Sequence, residues 1–260
     1  MSIWIEAACD SDVGRQRARN EDNCYFDGAV MKQEHEGPPA PLHRSFEPDG
    51  VCFAIFDGMG GVEGGEVASY LAGRAFQESC AQVEHREMIS ETFFHQAVRR
   101  MNATVYTDAR QRGNHMGTTF VAMGFCDDSA LVCNVGDSKA FRFRTGTLTQ
   151  LSIDDVAPHA PSDGQKPGLT QCIGIPEHEL RLEPHILTGM IRCGDTYLLC
   201  SDGLTDMVPE AQIAEILQSS KKADICTQKL VDLALDRGGR DNITVIVMRV
   251  IEGALPDADE

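Results

Sequence analysis

Four aspartates stand at the ends of four apolar runs, and that pattern limits the folds open to this chain. They are Asp57 in Asp57-Gly58-Met59-Gly60-Gly61, Asp137 in Val135-Gly136-Asp137-Ser138, Asp202 in Cys200-Ser201-Asp202-Gly203 and Asp241 in Gly239-Arg240-Asp241-Asn242. A strand delivers its terminal residue to the end of a sheet, so aspartates far apart in sequence can meet at one place. Carboxylates that meet repel one another unless a hard divalent cation offsets their charge. A metal site is therefore the expected consequence.

The runs themselves read as strands at 3–8, 24–26, 51–56, 118–125, 130–135, 140–144, 196–200 and 244–250. Two helical patterns separate them. At 66–80, Val67, Leu71 and Ala75 form one stripe with Ala68, Ala72 and Phe76 beside it. A longer helix carries Ile89, Phe93, Ala97, Met101 and Val105 and ends on Arg110, Arg112 and a Gly113 stop. Two more helices are expected at 209–219 and 223–237, the second halted by Gly238. The order is strands, two helices, strands, two helices, strand. Strands outnumber helices and hairpins are frequent, which favours antiparallel sheets with helices packed outside over a doubly wound fold. Two proline-bearing stretches, 31–49 and 152–168, are expected as long loops.

A chain of 260 residues suits one large domain or two small ones. Residues 1–251 read as a single catalytic domain and 252–260 as an acidic tail without fixed structure. The formal net charge of -17 argues against nucleic acid and anionic membrane as partners. No apolar stretch reaches the ~20 residues needed to span a bilayer, and the start lacks the basic lead of a signal peptide. The ten cysteines form no Cys-x-x-Cys pair and several lie inside apolar runs, so they are expected as reduced core thiols of a cytoplasmic protein.

Alone, each Asp-Gly pair is also an ordinary turn. What shifts the balance is repetition at the ends of apolar strands. Gly58 lets the backbone turn sharply, and a carboxylate next to an open carbonyl is a ligand set for a hard cation. A nucleotide-binding loop is excluded, because no Gly-Lys-Ser/Thr follows the glycines. No Cys-x5-Arg loop is present, which argues against a cysteine nucleophile. Arg15, Arg17 and Arg19 precede Asn20-Glu21-Asp22, where an arginine fork could bind phosphate or simply pair with the acids.

Taken together, Gly14-x-x-Arg17-x-x-Asn20-Glu21-Asp22, Phe56-Asp57-Gly58-Met59-Gly60-Gly61-x-x-Gly64-x-Glu66, Met116-Gly117-Thr118-Thr119, Asn134-Val135-Gly136-Asp137-Ser138, Leu199-Cys200-Ser201-Asp202-Gly203 and Asp241-Asn242-Ile243-Thr244 resemble the metal-dependent protein phosphatases of type 2C. The likeness covers about residues 9–250, and Met59 resembles the bacterial branch, where eukaryotic relatives place a histidine. The resemblance implies an α+β fold: a four-layer α-β-β-α sandwich, with a central antiparallel β-sandwich flanked by helices. It implies hydrolysis of phosphoserine and phosphothreonine with two Mn²⁺ or Mg²⁺ ions and a looser third. By matched position, Asp57 bridges two ions, Gly58 offers its carbonyl, and Asp202 and Asp241 complete one ion's shell. Glu21 or Asp22 holds water around the ions, and Asp137 shares the third ion with Asp202. Arg17 binds the substrate phosphate, and Asn242 supports the ligands from behind. The implied partners are phosphorylated proteins and a serine/threonine kinase that the enzyme opposes, with a monomeric state. Two other readings are a phosphoprotein-binding regulator with weak catalysis and a phosphatase of small metabolites.

Overall fold

The computed structural model describes residues 3–60, 64–158 and 166–253. One sheet has the strand order β10-β9-β12-β13-β1-β4, made of Thr147–Gln150, Lys139–Arg144, Thr196–Cys200, Ile243–Glu252, Ile3–Asp12 and Leu42–Phe46. The other runs β11-β8-β7-β5-β2-β3, made of His185–Met190, Ser129–Val135, Phe120–Cys126, Asp49–Gly60, Asp22–Phe26 and Ala29–Val30, and β6 (Met116–Thr118) pairs with the end of β5. Every pairing is antiparallel.

The long apolar runs are explained by burial on both faces. Along β5, Phe53 and Ile55 face the first sheet, where they join Ile5, Ala7, Leu199, Ile246 and Met248. The alternate residues Cys52, Ala54 and Phe56 face the other way, onto α1 (Gly65–Cys80) and α2 (Glu91–Arg112). On β13, Val245 and Val247 likewise turn from the central core toward α4 (Glu210–Ser219) and α5 (Ala223–Asp236). A strand with both faces covered cannot alternate polar with apolar, which is why these segments read as continuous runs. Three apolar layers between four structural layers give the expected α-β-β-α sandwich.

The structure corrects some boundaries. Ile89 lies outside the second helix, because the Ser90 side chain caps it by accepting from Phe93 N–H at 3.2 Å. Gly113 ends the same helix in the left-handed conformation, φ +68°, as its sequence predicts. Within 31–49 the loop is interrupted by β4, an edge strand on β1. Glu252 closes β13, whereas residues 254–260 of the expected tail lie outside the described residues. So do residues 159–165 of the 152–168 stretch.

Candidate active site

The sheet ends bring the acids together. Asp22 and Asp57 are direct cross-strand partners on β2 and β5. The Asp57 peptide is held by two threonines: its N–H donates to Thr119 Oγ1 at 3.0 Å, and its carbonyl accepts from Thr118 Oγ1 at 2.9 Å and Thr119 N–H at 2.9 Å. Thr119 also shares a 2.7 Å hydroxyl hydrogen bond with Ser138, which ties the Asp57 and Asp137 loops to each other. Asp202 begins the short helix α3 (Asp202–Thr205) with Ser201 between it and β12, and Asn242 separates Asp241 from β13.

Glycine makes the approach possible. A side chain at Gly58 would put Cβ 2.1 Å from the Gly65 carbonyl oxygen and 2.4 Å from that of Glu21. At Gly65, Cβ would fall 2.7 Å from Glu21 Oε1 and 2.9 Å from the Gly58 carbonyl oxygen. The Glu21 carboxylate and the Gly58 carbonyl thus share a space that any β-carbon would fill. Gly203 serves the other side, where a β-carbon would sit 1.9 Å from the Asn242 carbonyl oxygen. Replacing Gly203 by alanine is expected to lower Tm by roughly 5–10 °C, from an overpacking cost of about 2–3 kcal/mol. Scanning calorimetry checks this, and an unchanged Tm would contradict the geometry.

Asn242 organises the cationic loop. Its Oδ1 accepts from Glu21 N–H at 2.8 Å, and its Nδ2 donates to the carbonyls of Val13 at 2.8 Å and Arg19 at 2.9 Å. Arg17 Nη2 donates to Asp241 Oδ2 at 2.7 Å from a half-exposed position. That bond is the first cause of the rise in the Arg17 pKa. Arg19 instead pairs with the buried Glu66 at 2.9 Å, and Arg15 donates to the Leu235 carbonyl. Arg17 is thus bonded to an acid of the cluster, Asp241.

The electrostatics follow from this crowding. Burial pushes the Asp57 carboxyl well above the usual range, and Asp22, Asp202, Asp137 and Asp241 push it further. Burial raises Asp22 to about 7, against the opposing effect of hydrogen bonds from Thr244 Oγ1 at 2.7 Å and Ser201 Oγ at 2.8 Å. Asp137 is raised to about 6 by burial and then by Asp202. Glu21 is raised by burial and by Glu66, and Asp202 by burial against the lowering effect of Lys166.

Lys166 is a residue that the sequence did not point to. Its Nζ lies 2.5 Å from Asp202 Oδ2 and also pairs with Asp206. As the one lysine or arginine of the 152–168 stretch it offered a faint signal, but nothing in the sequence showed where it would land. His35, from the other proline-bearing stretch, is a second such residue. Its Nε2 lies 3.0 Å from the Asp22 carbonyl oxygen, and burial lowers its pKa. Ser201, Thr118, Thr119 and Thr244 stood inside recognised motifs without an assigned role, since a hydroxyl's partner is invisible in sequence.

Known proteins show the same architecture. Residues 42–233 match the family model of protein phosphatase 2C. The serine/threonine phosphatase stp of Listeria monocytogenes is 32% identical over 94% of this chain and 95% of the relative. The serine/threonine protein phosphatase PstP of Mycobacterium tuberculosis is 30% identical over 97% of this chain and 46% of its own length. The crystal structure of the PstP catalytic domain with two manganese ions superposes with a TM-score of 0.77 at 29% identity, covering 96% of this chain and 100% of that one. MsPP of Mycobacterium smegmatis, solved with cacodylate, gives 0.73 at 26% identity over 94% and 97%. Across both sequence and structure, the chain belongs to the protein phosphatase 2C family.

Proposed function

We propose that this protein hydrolyses phosphoserine and phosphothreonine monoesters of proteins, using two divalent cations, Mn²⁺ or Mg²⁺, held by its carboxylate cluster. The observation that carries the reading is the set of acids crowded around Asp57, whose carboxyl is raised by burial first and then by those neighbours. Such a set is stable at neutral pH when cations replace the protons. The donors fit hard cations: carboxylate oxygens, with the Gly58 carbonyl beside Glu21 in a space kept clear by glycine. The catalytic domain of PstP, a serine/threonine protein phosphatase, was solved in complex with two manganese ions.

In this reading Asp57, the Gly58 carbonyl, Asp202 and Asp241 would hold the two ions. Glu21 or Asp22 would hold water around them, and Asp137 with Asp202 would hold a looser third ion. When bound, such ions lower the pKa of water and offset phosphate charge. The chain's own groups do the positioning. Arg17 presents a planar fork at the rim, suited to two oxygens of one phosphate. Asn242 fixes the Arg17 loop against Glu21, so that arginine and acids keep one geometry. Met59, where eukaryotic relatives carry a histidine, has no proton to give the leaving oxygen. A regulator that merely binds phosphoproteins would have no need of an intact acid cluster, and nothing here favours it or a metabolite phosphatase.

The reading extends to a monomeric cytoplasmic enzyme opposing a serine/threonine kinase. All ten cysteines are free thiols, which supports a reducing compartment. No helix among the described residues is long and apolar enough to cross a membrane.

Phosphate release from a phosphothreonine peptide with Mn²⁺ and with EDTA tests the activity. Absence of turnover under any divalent cation, with the fold intact, would sink it. A second expectation concerns Lys166, whose ammonium occupies an oxygen of Asp202. The Lys166→Ala protein is expected to bind Mn²⁺ several-fold tighter by isothermal calorimetry, because no internal cation must be displaced. Unchanged or weaker binding would rule out that competition.

A further inference from the structure

The catalytic cluster accounts for one side of β5 at its end, and the same side continues past it. Asp57 and Met59 are two residues apart on one strand, so their side chains leave the same face. That spacing is roughly 7 Å, two strand steps. Met59 lines a groove of about 760 Å³ whose floor and walls include Tyr106, Met116 and Ile175. Its size falls among ligand sites, which run from roughly 300 to 1,000 Å³.

The groove is built rigidly. Ile173 pairs with Thr118 through two backbone bonds of 2.9 and 3.0 Å. From the other side, the buried Asn102 of α2 donates through Nδ2 to the Ile175 carbonyl at 2.9 Å and accepts from Gly174 N–H at 2.7 Å. Gly174 has φ +109°, and a β-carbon there would lie 2.7 Å from the Met116 carbonyl oxygen. The wall is thus fixed to both β6 and α2, and binding to it costs little ordering.

Its rim carries an exposed cation on a strongly acidic molecule. The chain carries a formal charge of -17, and the neighbouring centre is a cluster of acids. Around this groove stand Arg110, His115 and His178, and among the described residues Glu179 is the acid of the lining, 3.8 Å from His178 Nε2. Arg110 is exposed on the last turn of α2 and makes no ion pair among the described residues.

We infer that this groove binds the polypeptide flanking the phosphorylated residue and selects an apolar side chain followed by acidic ones. The inference rests on the phosphatase reading, since it needs the phosphoresidue seated at Asp57. An extended substrate advances about 3.3–3.6 Å per residue, so positions two to four residues from the phosphate reach the groove. The apolar residue meets Met59, Met116 and Ile175, and the acids meet the exposed Arg110 guanidinium.

The test uses the full chain with Mn²⁺ near 0.15 M salt. Fluorescently labelled peptides carry a non-hydrolysable phosphonate in place of phosphothreonine, with a leucine and then either acidic or basic residues on one side or the other. Anisotropy reads the dissociation constants. The overall charge of the protein favours the basic peptide, so a preference for the acidic one can come only from a local site. The acidic peptide is expected to bind about tenfold tighter, with Arg110→Gln shrinking the preference to about threefold and Arg110→Glu reversing it. Equal or opposite preference in the native protein, or a preference untouched by either substitution, would overturn the proposal, and so would saturation of the groove by a second copy of the chain. Hydrolysis of p-nitrophenyl phosphate, too small to reach the groove, reports the chemistry separately. Flank preference without that hydrolysis would sink the phosphatase reading, and hydrolysis without flank preference would sink the groove.

Discussion

Asp57→Asn is expected to lower kcat for phosphopeptide hydrolysis by at least about a thousandfold, or ~4 kcal/mol of transition-state stabilisation. Asparagine keeps the shape of the side chain and leaves the backbone bonds to Thr118 and Thr119 in place. What it removes is the charge at the centre of the cluster, the carboxylate that feels Asp22, Asp202, Asp137 and Asp241 at once. In this reading that carboxylate serves two ions, so no neighbour can substitute for it. The same change relieves repulsion, so in metal-free buffer the variant is expected to melt above the native protein. Phosphate release and thermal unfolding check the two halves. Activity within tenfold of native would show that Asp57 is not at the catalytic centre.

The second large effect is on stability, with the metal withdrawn. Asp22 titrates at about 7 in the folded protein, against an ordinary 3.8. Between those values the folded state holds a proton that the unfolded chain has released, so stability falls as pH rises through that window. For Asp22 the loss across the window is on the order of 4 kcal/mol, at about 1.36 kcal/mol for each pH unit. Asp137 and Asp10, each raised to about 6 by burial, act in the same direction. Urea melts in EDTA are therefore expected to give a markedly less stable protein at pH 8 than at pH 5. With Mn²⁺ present the slope is expected to flatten, because the cation takes the place of the proton. A metal-free protein more stable at pH 8 than at pH 5 would contradict the crowding of these acids.

These two expectations depend on different kinds of information. The strands that carry Asp57 or adjoin Asp202 and Asp241 were legible in sequence because burial on both faces leaves an unbroken apolar run, although β5 continues past Asp57 to Gly60. The second helix was legible because an amphipathic period and a glycine stop are local signals, and Ile89 was misplaced because an apolar residue before an N-cap fits the same period. Strands β4 and β11 were not legible. Leu42–Phe46 and His185–Met190 are largely exposed edge segments, ordered by the strand each one meets. Family resemblance marked Arg17 and not Arg15 or Arg19, and the structure distinguishes the same residue by its bond to Asp241.

By itself, then, the sequence determined that apolar strands would end in acids, and that those acids needed a cation. Tertiary structure alone decided which acids share one space, which hydroxyls serve them, and that Lys166 and His35 stand beside them. Strand and helix signals lie within a few residues of one another along the chain. A carboxylate's charge state is set instead by groups within a few ångströms, and here Asp22 finds Ser201 and Thr244 far along the sequence. Only the packing of the two sheets brings those groups together.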